Sequence, residues 1–186
     1  MIYTPRIQKA IDISITAHMG QTRKGKQVPY IIHPFGVGII LARTGASEDI
    51  IIAGVLHDTI EDTEMKFEDI RKEFGEDVAR IVNDVTEQDK GLPWEDRKRL
   101  AMEHIKDMKQ DSLLVKSADL LHNMTDQLND FEIEGDNMFK RFNASKEMQA
   151  ERYKNVILEL KKAWSQNPLL PDLEANIKTL LQAWKA

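Results

Sequence analysis

The stretch AGVLHDTIEDTE, residues 53–64, changes from apolar to charged within one helical turn and carries His57, Asp58, Glu61 and Asp62. The apolar residues that precede the charges are typical of a buried helix. Burying a charged group without a partner is expensive, so one imidazole and three carboxylates at the end of a core helix require a reason. The stretch is therefore either a solvated helix end or part of a functional site.

Apolar residues recur at helical spacing on both sides of this stretch, and runs of alternating apolar and polar residues are scarce. Both features predict an all-α fold built as a helical bundle. Helices are predicted over residues 4–19, 34–44, 47–59, 67–73, 75–87, 94–108, 110–130, 138–163 and 172–185.

Two of the predicted helices have recognisable starts. Ser47 suits the N-cap of the helix that leads into residues 53–64, and Glu48 and Asp49 in its first turn complement the helix dipole. Pro34 suits the first turn of the helix before it. Because proline restricts the preceding residue to extended geometry, His33 is expected just outside that helix.

A length of 186 residues suits one domain with a substantial buried core. The loop SQNPLLPD at 165–172 leads into an amphipathic tail helix. We therefore predict a main domain over 1–164, followed by a loop and C-terminal helix over 165–186. That tail is expected to pack on the same domain or on a partner, which leaves a homo-oligomer open.

The composition narrows the classes of function. The chain has no cysteine, so disulfides and thiolate metal sites are excluded, and a cytoplasmic location is compatible with this. No signal peptide and no run of about 18 apolar residues is present, so no membrane segment is expected. A net charge of -5 disfavours a nucleic-acid surface, but the basic patches at 22–26 and 96–100 suit a small anion.

The paired residues His57 and Asp58 suggest a metal site. At a fraying helix end both side chains can turn to one point and share a cation. His33 at its helix start and Asp119 in the apolar segment LLVKSADLLHNM, residues 113–124, are candidates to complete the ligand set. Two imidazoles and two carboxylates suit Mn²⁺, Fe²⁺ or Zn²⁺ better than an all-oxygen Mg²⁺ site.

Further polar residues lie at spacings that support a ligand. One helix face about 60° wide carries Lys116, Asp119 and Asn123. The polar groups of these side chains need a charged or polar partner. Glu61 and Asp62 lie near the face of Asp58 if that helix continues. Water bound to a divalent ion has a lowered pKa, and a neighbouring carboxylate can take up its proton.

Structural interpretations of the same residues stay open at this point. Acids after a terminal histidine are also typical of a solvated helix end, and Lys116 with Asp119 also fits a buried ion pair. The remaining histidines and the tryptophans are predicted to pack or to lie at the surface, and His122 is the less favoured choice as a partner of the metal ligands. These residues are His18, His104, His122, Trp94, Trp164 and Trp184.

Five separated segments, in order and spacing, resemble the HD-domain alarmone hydrolases of the RelA/SpoT type. They are RKG with PYIIHP, AGVLHDTIEDTE, FGEDVARIVNDVTE, DRKRL and LLVKSADLLHNM. The likeness spans about residues 15–130 and is strongest to the small stand-alone form that lacks a synthetase domain. It implies a compact all-helical HD-domain bundle, with an HD phosphohydrolase domain over 1–164.

The resemblance implies a Mn²⁺-dependent 3′-pyrophosphohydrolase of guanosine 3′,5′-bis(diphosphate), the alarmone of the stringent response. It would leave GDP, or GTP from the pentaphosphate. Position by position, it assigns metal binding, catalysis and substrate binding to separate residues. The metal ligands would be His33, His57, Asp58 and Asp119; the catalytic acids Glu61 and Asp62; and the substrate-binding residues Arg23, Lys24 and Asn123, with Lys116, Arg97 and Lys98 as weaker assignments.

One departure from the family pattern concerns Thr125 and Asp126, which stand where many long members have Arg-Thr. The loss of a positive charge there is expected to alter contacts to the distal phosphates. Two other functions stay open: another HD phosphohydrolase that acts on nucleoside monophosphates or NADPH, and a nucleotide sensor without turnover. The basic pair Arg23 and Lys24 and the retained acids Glu61 and Asp62 favour the alarmone hydrolase.

Overall fold

The computed structural model describes residues 3–87 and 91–185, and helices dominate both ranges. The α-helices are α1 Pro5–Ala17, α2 Ile32–Arg43, α3 Glu48–Leu56, α4 Thr59–Asp62, α5 Phe67–Phe74, α6 Glu76–Val85, α7 Trp94–His104, α8 Gln110–Glu134, α9 Lys146–Ala163 and α10 Leu170–Ala183. Two 3₁₀ segments, Ile105–Asp107 and Gly135–Arg141, follow α7 and α8. The only β pairing among the described residues is an isolated bridge between Thr22 and Pro29. The predicted all-α class is confirmed.

Side-chain caps explain where three helices begin. The hydroxyl oxygens of Thr4 and Ser145 accept the N–H groups of Ile7 and Met148, each at 3.2 Å, and start α1 and α9. Ser47 caps α3 as predicted. These hydroxyls satisfy amide groups that have no partner inside the helix.

The prediction of one helix over 138–163 is wrong. The α8 helix runs beyond its predicted end to Glu134, where Gly135 adopts a φ of +55° and ends it. A 3₁₀ segment follows, and α9 starts only at Lys146 because Ser145 supplies the cap. The prediction of a helix over 94–108 is also too long, since α7 ends at His104.

Two predictions about helix ends near residues 53–64 also need correction. The α2 helix starts at Ile32, so His33 lies inside its first turn and its N–H reaches the carbonyl of Tyr30 at 3.0 Å. That turn satisfies the backbone despite Pro34 and overrides the extended preference of the residue before proline. The helix predicted over 47–59 ends at Leu56, and the chain reorients at His57 before α4.

Two apolar clusters form the core, and α8 belongs to both. The first packs α1, α2, α3, α5 and α6 against Leu114, Val115 and Ala118 of α8. The second packs α9 and α10 against another side of α8, through residues that include Leu120 and Met124. At 25 residues, α8 is about 37 Å long, so it extends through both clusters.

Gly54 allows α2 and α3 to pack closely. A Cβ atom at this position would lie 2.2 Å from Cδ1 of Leu41 and 3.3 Å from Cγ1 of Val37. Any other residue would therefore separate the two helices or displace a fully buried leucine. The close packing brings the end of α3 beside the start of α2.

The C-terminal helix α10 packs on α8 and α9 within the same chain. Leu173 and Leu180 are fully buried in the second cluster. No described helix combines enough length with enough apolar character to span a bilayer.

We expect Leu173→Ala to lower the free energy of unfolding by about 2–5 kcal/mol, because it removes a buried side chain and leaves a cavity. Leu158→Ala on α9 is the matched control, since Leu158 is 49% exposed, and should cost less than about 0.5 kcal/mol. Urea unfolding of both variants measures the difference. Equal losses would show that α10 is not integral to the folded domain.

Candidate active site

Helices α2, α3 and α8 bring four predicted site residues to one point. Nε2 of His33 lies 3.1 Å from Nε2 of His57 and 3.5 Å from Oδ2 of Asp58. Nε2 of His57 lies 3.1 Å from the same oxygen of Asp58. Oδ1 of Asp119 approaches the two imidazoles at 3.4 Å and 3.9 Å. We call His33, His57, Asp58 and Asp119 the histidine–aspartate cluster.

Opposing effects set the protonation of the two histidines. Burial alone lowers the pKa of His57, but the carboxylates of Asp58 and Asp119 outweigh it and raise the pKa to about 9. For His33, burial dominates over these carboxylates and lowers the pKa. At neutral pH, without a cation, His57 therefore carries a proton and His33 is neutral.

Both aspartates of the cluster stay ionised although they are enclosed. Burial raises the pKa of Asp58, but the charged His57 beside it holds that pKa well below its usual range. The ammonium of Lys116, with the imidazoles, does the same for Asp119. The cluster therefore offers two negative charges to a cation.

The donor atoms fit a divalent cation. Nδ1 of His57 lies 2.7 Å from the carbonyl oxygen of Gly54, so it carries a hydrogen and leaves Nε2 to face the cluster. Two imidazole nitrogens 3.1 Å apart repel each other unless a proton or a cation lies between them. Ligating atoms of His33, His57 and Asp58 all lie within 4.8 Å of one another. Two nitrogen and two oxygen donors suit a first-row transition ion.

Tyr30 and Asn123 hold the two carboxylates of the cluster. The hydroxyl of Tyr30 donates to Oδ2 of Asp58 at 2.7 Å and lies 3.2 Å from Oδ2 of Asp62. The amide of Asn123 donates to Oδ1 of Asp119 at 2.6 Å. Asn123 also lines a cleft next to the cluster, so it lies between the cluster and that cleft.

Lys116 lies on the same face of α8 as Asp119 and Asn123. Its ammonium donates to Oδ2 of Asp119 at 3.1 Å. Burial lowers the pKa of this ammonium, but Asp119 and Glu87 outweigh burial and raise it. Lys116 is therefore a fixed positive charge beside the cluster. It also lines a small cavity of about 90 Å³.

The cleft beside the cluster has a volume of about 520 Å³. Acidic, cationic, amide and aromatic side chains line it together. They are Glu61 and Asp62; Lys24, Arg97, Lys98 and Arg152; Asn123, Gln127, Asn143 and Gln149; and Trp94, Phe142 and Tyr153. Such a lining can bind a molecule that carries both phosphate groups and a flat ring.

Glu87 links an acid of the cleft to two of its cations. Its backbone N–H donates to Oε2 of Glu61 at 3.0 Å. Its carboxylate accepts from Arg97 at 3.2 Å and also from Lys98. Burial raises the pKa of Glu61, and the N–H of Glu87 only partly opposes this. Glu61 is therefore a stronger proton acceptor than an exposed glutamate.

Arg23 and Lys24 occupy different surroundings although they are adjacent. Lys24 lines the cleft, with its ammonium 5.7 Å from the ring centre of Phe142. The guanidinium of Arg23 donates to Oδ2 of Asp126 at 2.9 Å and to the amide oxygen of Asn123 at 2.9 Å. Arg23 is absent from the cleft lining, so its predicted contact with guanine stays a prediction.

Asp126, one of the two residues that depart from the family pattern, has a structural role that the sequence did not indicate. It accepts from Arg23 and, at 2.8 Å, from Lys26, which also contacts Asp130. The acid thus fixes the basic segment at 22–26 onto α8. The ion pairs lower the pKa of Asp126 although its burial alone would raise it.

Sequence reasoning missed several residues near the site. Glu87 belongs to the quoted segment FGEDVARIVNDVTE, but nothing in its spacing indicates a contact with Glu61. Trp94 was expected to pack and lines the cleft instead, because nothing in the sequence relates it to the other site residues. Arg152 and Tyr153 line the cleft as well.

The other histidines differ in their surroundings. His18 is buried and bonded to Gln21, while His104 is exposed, in agreement with packing and surface roles. His122 instead contacts His33 directly, with their Nδ1 atoms 2.9 Å apart. Burial, with His33 and Arg23, lowers the pKa of His122 to about 4, so it is neutral.

Comparisons with known proteins identify the family to which the chain belongs. A model of the HD domain family matches residues 10–147. The guanosine-3′,5′-bis(diphosphate) 3′-pyrophosphohydrolase MESH1 of Xenopus tropicalis is 46% identical over 123 residues, which are 64% of this chain and 68% of that protein. The Homo sapiens MESH1 protein is 40% identical over 124 residues, with 65% and 69% covered.

A solved structure extends the similarity to nearly the whole chain. It is described as a metazoan ortholog of SpoT that hydrolyses ppGpp and plays a role in starvation responses. It superposes with a TM-score of 0.78 and 28% identity and covers 95% of this chain and 96% of that chain. The chain therefore belongs to the HD domain family and, within it, to the RelA/SpoT-related alarmone hydrolases that include the MESH1 proteins.

Proposed function

We propose that the protein hydrolyses guanosine 3′,5′-bis(diphosphate) to GDP and pyrophosphate, and the pentaphosphate to GTP and pyrophosphate. The observation that carries this proposal is the cleft, in which the half-buried acids Glu61 and Asp62 face four cationic side chains next to the histidine–aspartate cluster. The named activity of the MESH1 relatives supports the same reaction.

We further propose that the cluster binds one divalent ion, which is Mn²⁺ by the resemblance to the family, with Fe²⁺ and Zn²⁺ as alternatives that the same donors suit. His33 and His57 would ligate through Nε2, and Asp58 and Asp119 through Oδ2 and Oδ1. Such an ion would supply Lewis acidity toward water and toward a phosphate oxygen. Tyr30 and Asn123 hold the two carboxylates in position through hydrogen bonds of 2.7 Å and 2.6 Å.

Glu61 is the proposed general base. Burial raises its pKa, and the N–H of Glu87 fixes one oxygen. Glu61 removes a proton from the attacking water, whose oxygen bonds to the phosphorus attached to the ribose 3′ oxygen. The bond from that phosphorus to the 3′ oxygen breaks, and the 3′ oxygen receives the proton that Glu61 removed from the water. Asp62, close to the Tyr30 hydroxyl, orients the water.

The cationic side chains of the cleft serve phosphate binding. Lys24, Lys98, Arg97 and Arg152 line the space that Glu61 and Asp62 also face. Their charges offset those of the phosphate groups, and arginine can hold two phosphate oxygens at once. Trp94 and Phe142 supply aromatic faces against which a purine can stack.

A substrate panel tests the reaction. With Mn²⁺ present, we expect the purified protein to release pyrophosphate from guanosine 3′,5′-bis(diphosphate), with little turnover of GTP, deoxynucleoside monophosphates or NADPH. Ion chromatography separates pyrophosphate from orthophosphate. Orthophosphate from NADPH or a monophosphate as the main product would favour another HD phosphohydrolase, and binding without any product would favour a sensor.

We expect Glu61→Gln to lower kcat by about 10²–10⁴-fold with little change in KM, because the amide cannot accept the proton. Glu64→Gln is the matched control, since Glu64 is an exposed acid three residues away. Steady-state kinetics with the bis(diphosphate) measure both variants. An unchanged kcat for Glu61→Gln would remove Glu61 from the mechanism.

Metal binding should release one proton at about pH 7.5. Without a cation the pKa of His57 is about 9, so this imidazole is protonated below that pH and must lose its proton to ligate. His33 is already neutral and adds none. The affinity for Mn²⁺ should therefore rise about tenfold per pH unit from about pH 7 to 9 and level off above.

Calorimetric titration in two buffers of different ionisation enthalpy measures the released proton. Asp58→Ala is expected to abolish binding, because it removes a carboxylate that approaches both imidazoles. Binding without proton release, or full Mn²⁺ occupancy in Asp58→Ala, would contradict the proposed ligand set.

A further inference from the structure

On the side away from the cluster, His33 contacts a second histidine, His122. We propose that His122 is a positioning residue: its Nδ1 accepts a hydrogen bond from Nδ1–H of His33 and so leaves Nε2 of His33 free to ligate the divalent ion. This inference rests on the proposed metal site.

The contact between the two rings is direct. Their Nδ1 atoms are 2.9 Å apart, and the ring centres are 4.7 Å apart with an angle of 68° between planes. A hydrogen bond between two imidazole nitrogens needs one donor and one acceptor. The side chain that donates therefore also determines the tautomer of its neighbour.

Only one of the two choices leaves His33 able to ligate. If His33 donates, its Nδ1 holds the hydrogen and its Nε2 lone pair faces His57, Asp58 and Asp119. If His122 donates instead, the hydrogen of neutral His33 moves to Nε2, which then points at the carboxylates 3.4 Å and 3.5 Å away. Metal-ligating histidines generally donate their other ring N–H to a neighbouring acceptor. Here that acceptor is an imidazole.

Gly36 on α2 provides the space for the His122 ring. A Cβ atom on Gly36 would lie 2.0 Å from Cδ2 and 2.2 Å from Nε2 of His122. The imidazole edge thus occupies the volume that any other residue at 36 would fill. Gly36 lies one turn after His33, so the backbone that carries His33 also holds its partner.

His122 is located away from the catalytic cleft. It lines a separate groove of about 490 Å³ between α2, α8 and α10, with Ile40 and Thr179 among its neighbours. The catalytic cleft, of about 520 Å³, shares no lining residue with that groove. An effect of His122 on metal affinity would therefore act through His33 and not through substrate contact.

The test compares substitutions that keep or remove the acceptor. His122→Asn retains an oxygen near the position of Nδ1, whereas His122→Leu removes every acceptor at similar volume. We expect His122→Leu to weaken Mn²⁺ binding about 10–100-fold, and His122→Asn to retain affinity within about threefold of wild type. His104→Leu, at an exposed histidine, is the matched control and should leave affinity unchanged.

Electron paramagnetic resonance of free Mn²⁺ measures affinity without turnover, and thermal unfolding of the metal-free variants checks the fold. Nitrogen-15 spectra of the Zn²⁺-loaded protein should place the hydrogen of His33 on Nδ1. If His122→Leu does not fold, Gly36→Ala replaces it, because the added methyl displaces the ring and should weaken binding at least tenfold.

The outcomes separate the two proposals. No Mn²⁺ binding by the wild-type protein would overturn the metal site itself. Wild-type binding with equal affinity in folded His122→Leu, or in Gly36→Ala, would overturn the role of His122 alone. Equal weakening in His122→Asn and His122→Leu would show that ring packing, and not the hydrogen bond, is responsible.

Discussion

Two carboxylates and two imidazoles are enclosed where α2, α3 and α8 meet, and their charges restrict how these three helices can pack. Asp58 and Asp119 remain ionised there only because positive charge lies against them, supplied by protonated His57 and by Lys116. Desolvated charges of this kind destabilise a fold when a partner is lost. The surrounding helices must therefore hold the four groups together within narrow limits.

Charge pairing also extends through the cleft. Glu87 pairs with both Arg97 and Lys98 of the cleft lining, and beside the cleft Asp126 pairs with Arg23 and fixes the basic segment. A phosphate that enters must compete with these carboxylates for the cations. This arrangement disfavours ligands with a single phosphate and favours a molecule with two diphosphate groups, which can engage several cations at once.

Sequence reasoning succeeded where the relevant residues are neighbours on one helix or on adjacent positions. The helical spacing predicted the all-α class and the shared face of Lys116, Asp119 and Asn123, whose mutual hydrogen bonds are 3.1 Å and 2.6 Å. It failed where a short side chain or a turn decides the geometry. Ser145 starts α9 after a break that apolar spacing does not register, and Tyr30 positions His33 inside α2.

Apart from the predicted grouping of His33, His57, Asp58 and Asp119, contacts between distant segments could not be predicted from the sequence. His122 was the less favoured choice as a partner of the metal ligands, because nothing in the sequence brings it to His33, which lies 89 positions away. Gly36 leaves the space that the His122 ring occupies, but this becomes evident only when α2 and α8 are packed together. The pairing of Glu61 with the backbone of Glu87 was hidden for the same reason.

The position of α8 explains why the site depends on both halves of the fold. This helix contributes Leu114, Val115 and Ala118 to the first apolar cluster and Leu120 and Met124 to the second. Asp119 lies between these two sets of buried residues along the chain. A shift of α8 toward either cluster would move its carboxylate relative to the imidazoles of α2 and α3. The two cores together therefore set the geometry of the histidine–aspartate cluster, and α10 contributes to it by packing on α8.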